Sequence, residues 1–115
     1  MKRNQKERIL LKMKKSKEER QRDRRILDLY HKHMTEKELE PLFDQFKQWK
    51  SGELPYFELT EFIHQFHKKN QEIYKTFHYY DDEHLVFRAK KELNMFNEKD
   101  LENEAYQRWM YYYER

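Results

Sequence analysis

The sequence predicts an all-α protein, with a small helical-hairpin or bundle body and a basic helical arm at its N-terminus. Strand-forming residues are scarce, since the 115 residues include one Val, four Ile and three Thr. One Gly and two Pro are too few for a turn-rich β fold. Apolar residues instead recur at helical spacing. With 37% hydrophobic and 41% charged residues, we expect a small core built from aromatic side chains.

The first element is a basic arm, residues 1–25. It carries 12 Lys or Arg and 4 Asp or Glu, a net charge of +8, whereas residues 26–115 carry 13 and 18, a net charge of −5. Residues 14–25 contain no apolar side chain, so a helix there has no face to bury. We therefore predict an arm, helical or partly disordered, followed by a helical body of residues 26–115. The candidate phosphate-binding residues of the arm are Lys14, Lys15, Arg20, Arg22, Arg24 and Arg25.

The body begins with an apolar stripe at Ile26, and a second helix is predicted to start nearby. Thr35 followed by Glu38 has the spacing of a capping box, which indicates a helix N-terminus. The stripe of this second helix follows i, i+3, i+4, i+7, i+10 spacing. Its members are Leu39, Leu42, Phe43, Phe46 and Trp49. Gly52 is expected to end the helix, because Gly adopts the left-handed conformation at no steric cost.

Three more helices are predicted after this turn. Pro55 suits the first turn of the third helix, which extends to about Tyr80. Its apolar stripe is Leu59, Phe62, Ile63, Phe66, Ile73 and Phe77. Asp81 and Asp82 are candidate caps of a fourth helix, and residues 97–100 are expected to form a break. The fourth and last helices carry the apolar residues Val86, Ala89, Leu93, Phe96, Leu101, Ala105, Trp109 and Tyr112.

The stretch ELTEFIHQFHKK, residues 58–69, raises the question of a metal site. Glu61-x-x-His64 has the spacing found in di-iron carboxylate bundles, and His67 follows three residues later. In those bundles the ligands point inward, whereas at 100° per residue Glu61 and His64 point away from the apolar stripe of their helix. The pattern therefore favours a solvated helix face. A metal site formed by His64, His67 and Glu61 remains an alternative.

Several catalytic and cofactor chemistries lack their required residues. The chain has no Cys and one Gly, which excludes thiolate sites, P-loops and dinucleotide-binding glycine motifs. Residues 47–58 have the Gly and Glu spacing of an EF-hand loop, but Lys47 and Trp49 stand where Ca²⁺ needs carboxylates. Ser16 and Ser51 have no base at a predictable distance. The sequence thus leans towards a protein that is not an enzyme and uses no cofactor, without deciding the point.

A longer motif spans residues 40–90. It reads W-[KR]-x-G-E-[IL], then E-L-x-x-x-I-H-x-F-H, then E-[IL]-[YW]-K. The matching residues are Trp49, Lys50, Gly52, Glu53, Leu54, Glu58, Leu59, Ile63, His64, Phe66, His67, Glu72, Ile73, Tyr74 and Lys75. In this motif the chain resembles a group of small bacterial proteins without an established activity. In those proteins a Gly follows the second His, where this chain has Lys68, Lys69 and Asn70. The resemblance implies a bacterial origin and a helical fold, and it implies no function.

The last helix favours binding to another protein. It carries four nearly consecutive aromatic residues: Trp109, Tyr111, Tyr112 and Tyr113. A helix cannot turn all four towards one core, so Tyr111 or Tyr113 is expected to stay exposed. Tyr and Trp are enriched at protein interfaces. The sequence therefore favours a protein-interaction or scaffold protein that binds an unknown protein partner or self-associates.

The basic arm supports a second hypothesis, a nucleic-acid- or ribosome-associated protein that binds the phosphates of RNA or DNA. An arm that engages about five phosphates gives a slope near −4 for log affinity against log salt. No apolar run approaches the roughly 20 residues of a transmembrane helix. The start of the chain also lacks the apolar stretch of a signal peptide. We therefore expect a cytoplasmic protein.

Overall fold

The computed structural model describes residues 15–79 and 82–113, and no strand occurs in these two ranges. The all-α prediction is therefore confirmed. The helices are α1 (Lys17–Lys50), α2 (Tyr56–Tyr79), α3 (Asp82–Leu93), α4 (Glu98–Leu101) and α5 (Glu104–Tyr113). The 34 residues of α1 give a helix about 51 Å long, which accounts for most of the 58 Å longest dimension of the molecule. In the described ranges, none of these helices is both long and apolar enough to span a membrane.

Helix α1 is continuous, so the predicted helix start at Thr35 is wrong. The helix begins after Ser16, whose side-chain oxygen accepts a hydrogen bond from the backbone N–H of Glu19 at 3.1 Å. Thr35 caps nothing, and its buried Oγ1 has no hydrogen-bond partner among the described residues. Both α2 and α3 pack along α1, and this packing outweighs the local capping signal. The arm boundary proposed after Arg25 also falls inside this helix, while residues 1–14 lie outside the described residues.

A tight turn at Gly52 joins α1 and α2 into an antiparallel hairpin, as predicted. Gly52 has a φ of +86°, the left-handed region in which a residue with a Cβ is strained. The backbone N–H of Glu53 donates to the carbonyl of Gln48 at 2.8 Å, which closes the end of α1. An ion pair of 3.2 Å between Lys69 and Glu38 and the contact of the Tyr30 and Phe77 rings, 5.8 Å between centroids, show the register of the two helices. Residues whose numbers add up to about 107 therefore lie side by side.

The core lies at the N-terminal half of α1, on both sides of α3. On one side, Ile26 and Tyr30 of α1 pack against Leu85 and Ala89 of α3. On the other side, the fully buried Phe87 contacts the aromatic rings of four residues from the C-terminal segment. These are Phe96, Tyr106, Trp109 and Tyr113, at centroid distances of 5.2–5.9 Å. Helix α3 thus connects the hairpin to the C-terminal helices.

Among residues 15–79 and 82–113, no third helix covers the far half of the hairpin. Between residues 36 and 72, Leu59 alone is buried. The prediction that the apolar residues of positions 39–49 form part of the core is therefore wrong, since Phe43 is 61% exposed and Trp49 is 42% exposed. The predicted buried side of the last helix is also wrong, because Tyr106 is buried whereas Leu101 and Tyr112 are exposed. Helix α5 starts at Glu104 rather than Leu101, which changes the side that meets Phe87.

Candidate interaction surface

The far half of the hairpin exposes large apolar side chains on one side of α2. Tyr56, Ile63 and Tyr74 are all exposed, and at 100° per residue they fall within about 20° of one another. They lie about 70° around the helix from Leu59 and Ile73, the two buried residues of α2. The three side chains therefore form an apolar ridge along the edge of the contact with α1.

Phe46 of α1 lies on the same side of the hairpin. At 100° per residue it is opposite Ile26 and Tyr30, the side of α1 that packs on α3. Near the end of α2, Thr76 is half-buried while Tyr74 is exposed, so the ridge of α2 also faces away from α3. We name the surface formed by Phe46, Tyr56, Ile63 and Tyr74 the hairpin face.

The C-terminal aromatic residues divide between packing and exposure. Trp109 stacks on the His84 ring at a centroid distance of 5.0 Å, and the Tyr113 hydroxyl lies 3.1 Å from His84 Nε2. Tyr111, Tyr112 and Tyr113 are exposed, so the predicted exposure of Tyr111 or Tyr113 is confirmed. Of the four interface candidates, Trp109 is thus held by intramolecular contacts, and Tyr112 presents the most exposed ring.

The basic residues of the arm separate into two groups. Lys14 lies outside the described residues. Lys15 forms ion pairs of 2.6 Å with Asp23 and with Glu83, so its charge is neutralised within the fold. Arg22 donates to the carbonyl of Met95 at 2.9 Å and lies near the carboxylate of Asp100. The remaining candidates are exposed, and no ion pair joins them to another residue of the described ranges. They are Arg20, Arg24 and Arg25.

A buried polar network, which the sequence analysis missed, connects this end of α1 to the C-terminal helices. At its centre is Lys90 of α3, only 3% exposed. Its Nζ lies 2.8 Å from Asp100 Oδ1, 3.1 Å from the Tyr106 hydroxyl and 3.5 Å from Asp23 Oδ1. An ammonium has three N–H donors, and three oxygens surround it here. The network therefore has the composition of a structural cross-link between α1, α3, α4 and α5.

The pKa shifts in this network follow from burial and charge. Burial raises the pKa of Tyr106 well above its ordinary value. Burial alone would raise the pKa of Asp100, but hydrogen bonds from Lys90 and from the Asn97 backbone outweigh it, and the pKa is lowered. For Lys15 burial acts to lower the pKa, and its hydrogen-bonded carboxylate partners raise it overall. All three shifts favour the protonation states that hold the network together.

Two features of the sequence could have identified members of this network. Lys90 is four residues after Val86 and three after Phe87, so it occupies a position of the apolar side of α3. Asn97 and Asp100 form a capping box: the Asp100 backbone N–H donates to Asn97 Oδ1 at 2.8 Å, and the Asn97 N–H donates to Asp100 Oδ2 at 2.9 Å. The predicted break at residues 97–100 is therefore a short helix that holds Asp100 against Lys90.

The candidate metal ligands are not brought together with further ligands. Glu61, His64 and His67 are all exposed on α2, and the predicted outward direction of Glu61 and His64 is confirmed. Within residues 15–79 and 82–113, no group of three His, Cys, Asp or Glu side chains is arranged to hold a metal ion. Asp28-x-x-His31 of α1 repeats the acid-x-x-His spacing, but the His31 ring makes an edge contact with the Phe77 ring at a centroid distance of 4.8 Å.

Comparisons of the chain with protein-family models, with curated proteins and with solved structures gave no match. The resemblance to small bacterial proteins therefore stays a prediction. The fold and the surfaces described above are the basis for any functional assignment.

Proposed function

We propose that this chain is a non-enzymatic protein-interaction or scaffold protein, and that a protein partner docks on the hairpin face. The observation that supports the proposal is the exposure of Phe46, Tyr56, Ile63 and Tyr74 on one side of a hairpin that no third helix of the described ranges covers there. Charged residues make up 41% of the chain, so large apolar residues gathered on one surface are unusual for it. Such surfaces are typical of interaction sites.

The shape of the hairpin favours a helical partner. Two antiparallel helices side by side form a groove between their ridges, and an amphipathic helix buries its apolar side in such a groove. A partner helix there would pack on the side of the hairpin opposite to the side on which α3 packs. The cytoplasmic location expected from the sequence is part of the same proposal.

The polar network supports binding rather than catalysis. A reactive lysine needs a free amine near a substrate cavity. Lys90 is instead surrounded by Asp100, Tyr106 and Asp23 inside the fold. Its position favours a role in stability.

Capture of partners from the native cell tests the proposal. The test variant is Tyr56→Ser combined with Tyr74→Ser, because both side chains are more than half exposed and their loss leaves the core intact. The matched control is Phe57→Ser, which removes an equally exposed ring about 100° further around α2. We expect a specific partner to be retained by the wild type and the control, and to be lost with the double variant.

Equal retention by all three proteins would contradict docking on the hairpin face. The nucleic-acid hypothesis is a further outcome of the same experiment. Exposed Arg20, Arg24 and Arg25 engage about three phosphates, so binding to RNA or DNA would show a salt slope near −2.7 rather than −4. Retention of nucleic acid with that slope, abolished by Arg20→Glu with Arg24→Glu, would replace protein docking as the function.

A further inference from the structure

One side of α1 contacts neither α2 nor α3. At 100° per residue, the side facing α3 is centred on Ile26 and Tyr30, and the side facing α2 is centred on the half-buried Glu38 and Gln45. The third side lies about 120° from the side facing α3 and about 150° from the side facing α2. It is formed by six exposed residues within an arc of about 80°. We name them the α1 stripe: Arg25, Leu29, Lys32, Glu36, Leu39 and Phe43.

The α1 stripe has the spacing of a coiled-coil seam. Its residues are separated by 4, 3, 4, 3 and 4 positions, which is the alternation of the a and d sites of a heptad. This series reads the same in both directions. Two copies that run antiparallel therefore place every a site of one helix against a d site of the other, with the two-fold axis at the level of Met34.

The chemistry of the α1 stripe is self-complementary in this arrangement. Lys32 lies 3.9 Å from Glu36 within the chain, and in the dimer it also meets Glu36 of the second copy. This contact between copies occurs twice because of the symmetry. Leu29 meets Leu39, and these side chains are 48% and 41% exposed in the single chain. No like charges oppose each other at any of the six positions.

The residues at the two ends of the α1 stripe also face complementary residues of the second copy. Arg25 meets the Phe43 ring of the second copy, a cation–π contact. Lys47 lies 4.6 Å from the Phe43 ring centroid within the same chain, which leaves the opposite face of the ring for Arg25. One heptad step further out, Glu18 meets Lys50, again an opposite-charge pair, and both residues are exposed.

We propose that the α1 stripe binds the α1 stripe of a second copy of this chain, as an antiparallel two-helix seam with a two-fold axis near Met34. The dimer goes beyond the proposed function, because it needs no other partner. It leaves Tyr56, Ile63 and Tyr74 of α2 outside the seam. Phe46 is seven residues after Leu39 and lies at the edge of the seam, so the second copy covers the α1 part of the hairpin face and leaves the α2 part exposed.

Disulfide trapping tests the register, since the full chain has no native Cys to give a background signal. Leu29→Cys and Leu39→Cys chains are mixed in a glutathione buffer at equilibrium. Across the seam positions 29 and 39 face each other, whereas two copies of position 29 are about 15 Å apart along the axis, too far for a disulfide. We expect a covalent dimer from the mixture and several-fold less from either variant alone. A covalent dimer from Leu29→Cys alone, or none from the mixture, would overturn the proposal.

Charge exchange tests the chemistry in the full chain by light scattering. Lys32→Glu and Glu36→Lys each place like charges together at both symmetric positions, and we expect each to weaken dimerisation roughly tenfold or more. An equimolar mixture restores both ion pairs between unlike chains, so dimers should return. Repulsion within one helix cannot be relieved by mixing, which separates this effect from a loss of helix stability. A wild-type chain that stays monomeric, or a mixture that stays monomeric, would contradict the dimer.

These experiments are independent of the partner-capture experiment. The substitutions at residues 29, 32, 36 and 39 leave Tyr56 and Tyr74 unchanged. A monomeric chain that still captures its partner through these tyrosines would refute the dimer alone. A dimer that captures no partner would refute the proposed function alone.

Discussion

Replacement of Lys90 by Met removes the ammonium at the centre of the polar network while keeping a similar side-chain length. Lys90 is 3% exposed, and its Nζ lies 2.8 Å from Asp100 Oδ1 and 3.5 Å from Asp23 Oδ1. Loss of one partner of a buried ion pair costs about 3–5 kcal/mol, because the remaining charge stays desolvated without compensation. The variant should therefore be strongly destabilised.

The expected loss is at the lower end of that range. The Asp100 carboxylate keeps Arg22 at 3.5 Å and the Asn97 backbone N–H at 2.9 Å, while Asp23 keeps its 2.6 Å ion pair with Lys15. We expect the free energy of unfolding to fall by about 3 kcal/mol. For a domain of this size that is a decrease in Tm of more than roughly 10 °C.

Urea denaturation followed by circular dichroism measures this loss. Lys68→Met is the matched control, because Lys68 is exposed on α2 and its replacement should change stability by about 0.5 kcal/mol or less. A double-mutant cycle with Asp100→Asn separates the Lys90–Asp100 coupling from other effects. A loss below about 1 kcal/mol for Lys90→Met would refute the role of this network as a cross-link between α1 and the C-terminal helices.

Four further predictions concern single residues. The raised pKa of Tyr106 means that its stabilising effect is complete below the ordinary tyrosine pKa of about 10 and is lost as pH rises through the folded-state value. Burial also raises the pKa of Tyr30, so in tyrosinate absorbance Tyr106→Phe should remove part, and not all, of the signal that titrates above the ordinary range. Thr35→Val should raise stability by about 1 kcal/mol in thermal melts, because it removes a buried hydroxyl that has no hydrogen-bond partner among residues 15–79 and 82–113, and a loss of stability would indicate that the hydroxyl is satisfied. Leu59→Ala should cost about 2–4 kcal/mol while the half-exposed Trp49→Ala costs below about 2, and the reverse order in denaturation would contradict the assigned burial. His64→Ala should change stability by less than about 0.5 kcal/mol, and calorimetry with Zn²⁺ should detect no tight site; micromolar binding abolished by His64→Ala would revive the metal hypothesis.

The sequence was sufficient to predict the all-α fold class and the hairpin turn. It was not sufficient for the helix boundaries and the burial of side chains that depend on tertiary packing. The turn at Gly52 is a local signal that holds in the structure. The apolar stripe predicted for α2 holds in part, since Leu59 and Ile73 are buried whereas Ile63 is exposed. The apparent cap at Thr35 is also a local signal, but helices packed on both sides of α1 keep it continuous. A helical period identifies an apolar side of a helix, and it does not say whether another helix covers that side. Phe43 is exposed for that reason.

The candidate surfaces were predicted only in part. The exposure of the C-terminal tyrosines follows from the geometry of one helix, so the sequence was sufficient. The hairpin face requires the register of two helices, which the Lys69–Glu38 ion pair defines in the fold. The network around Lys90 joins residues up to 77 positions apart, from Asp23 to Asp100. Local patterns place Lys90 on the apolar side of α3 and Asp100 in a capping box, but they do not show that these residues meet each other or Asp23.

Photo-crosslinking in the native cell tests the central claim, that the hairpin face is a docking site for a protein, most directly. A photoreactive phenylalanine analogue is placed at position 74 on the hairpin face, and in a second chain at position 57, which is similarly exposed on another side of α2. Our account predicts a covalent adduct with one protein partner from position 74, competed by excess unlabelled chain, and no such adduct from position 57. Equal adducts from both positions, or adducts with nucleic acid alone, would contradict it.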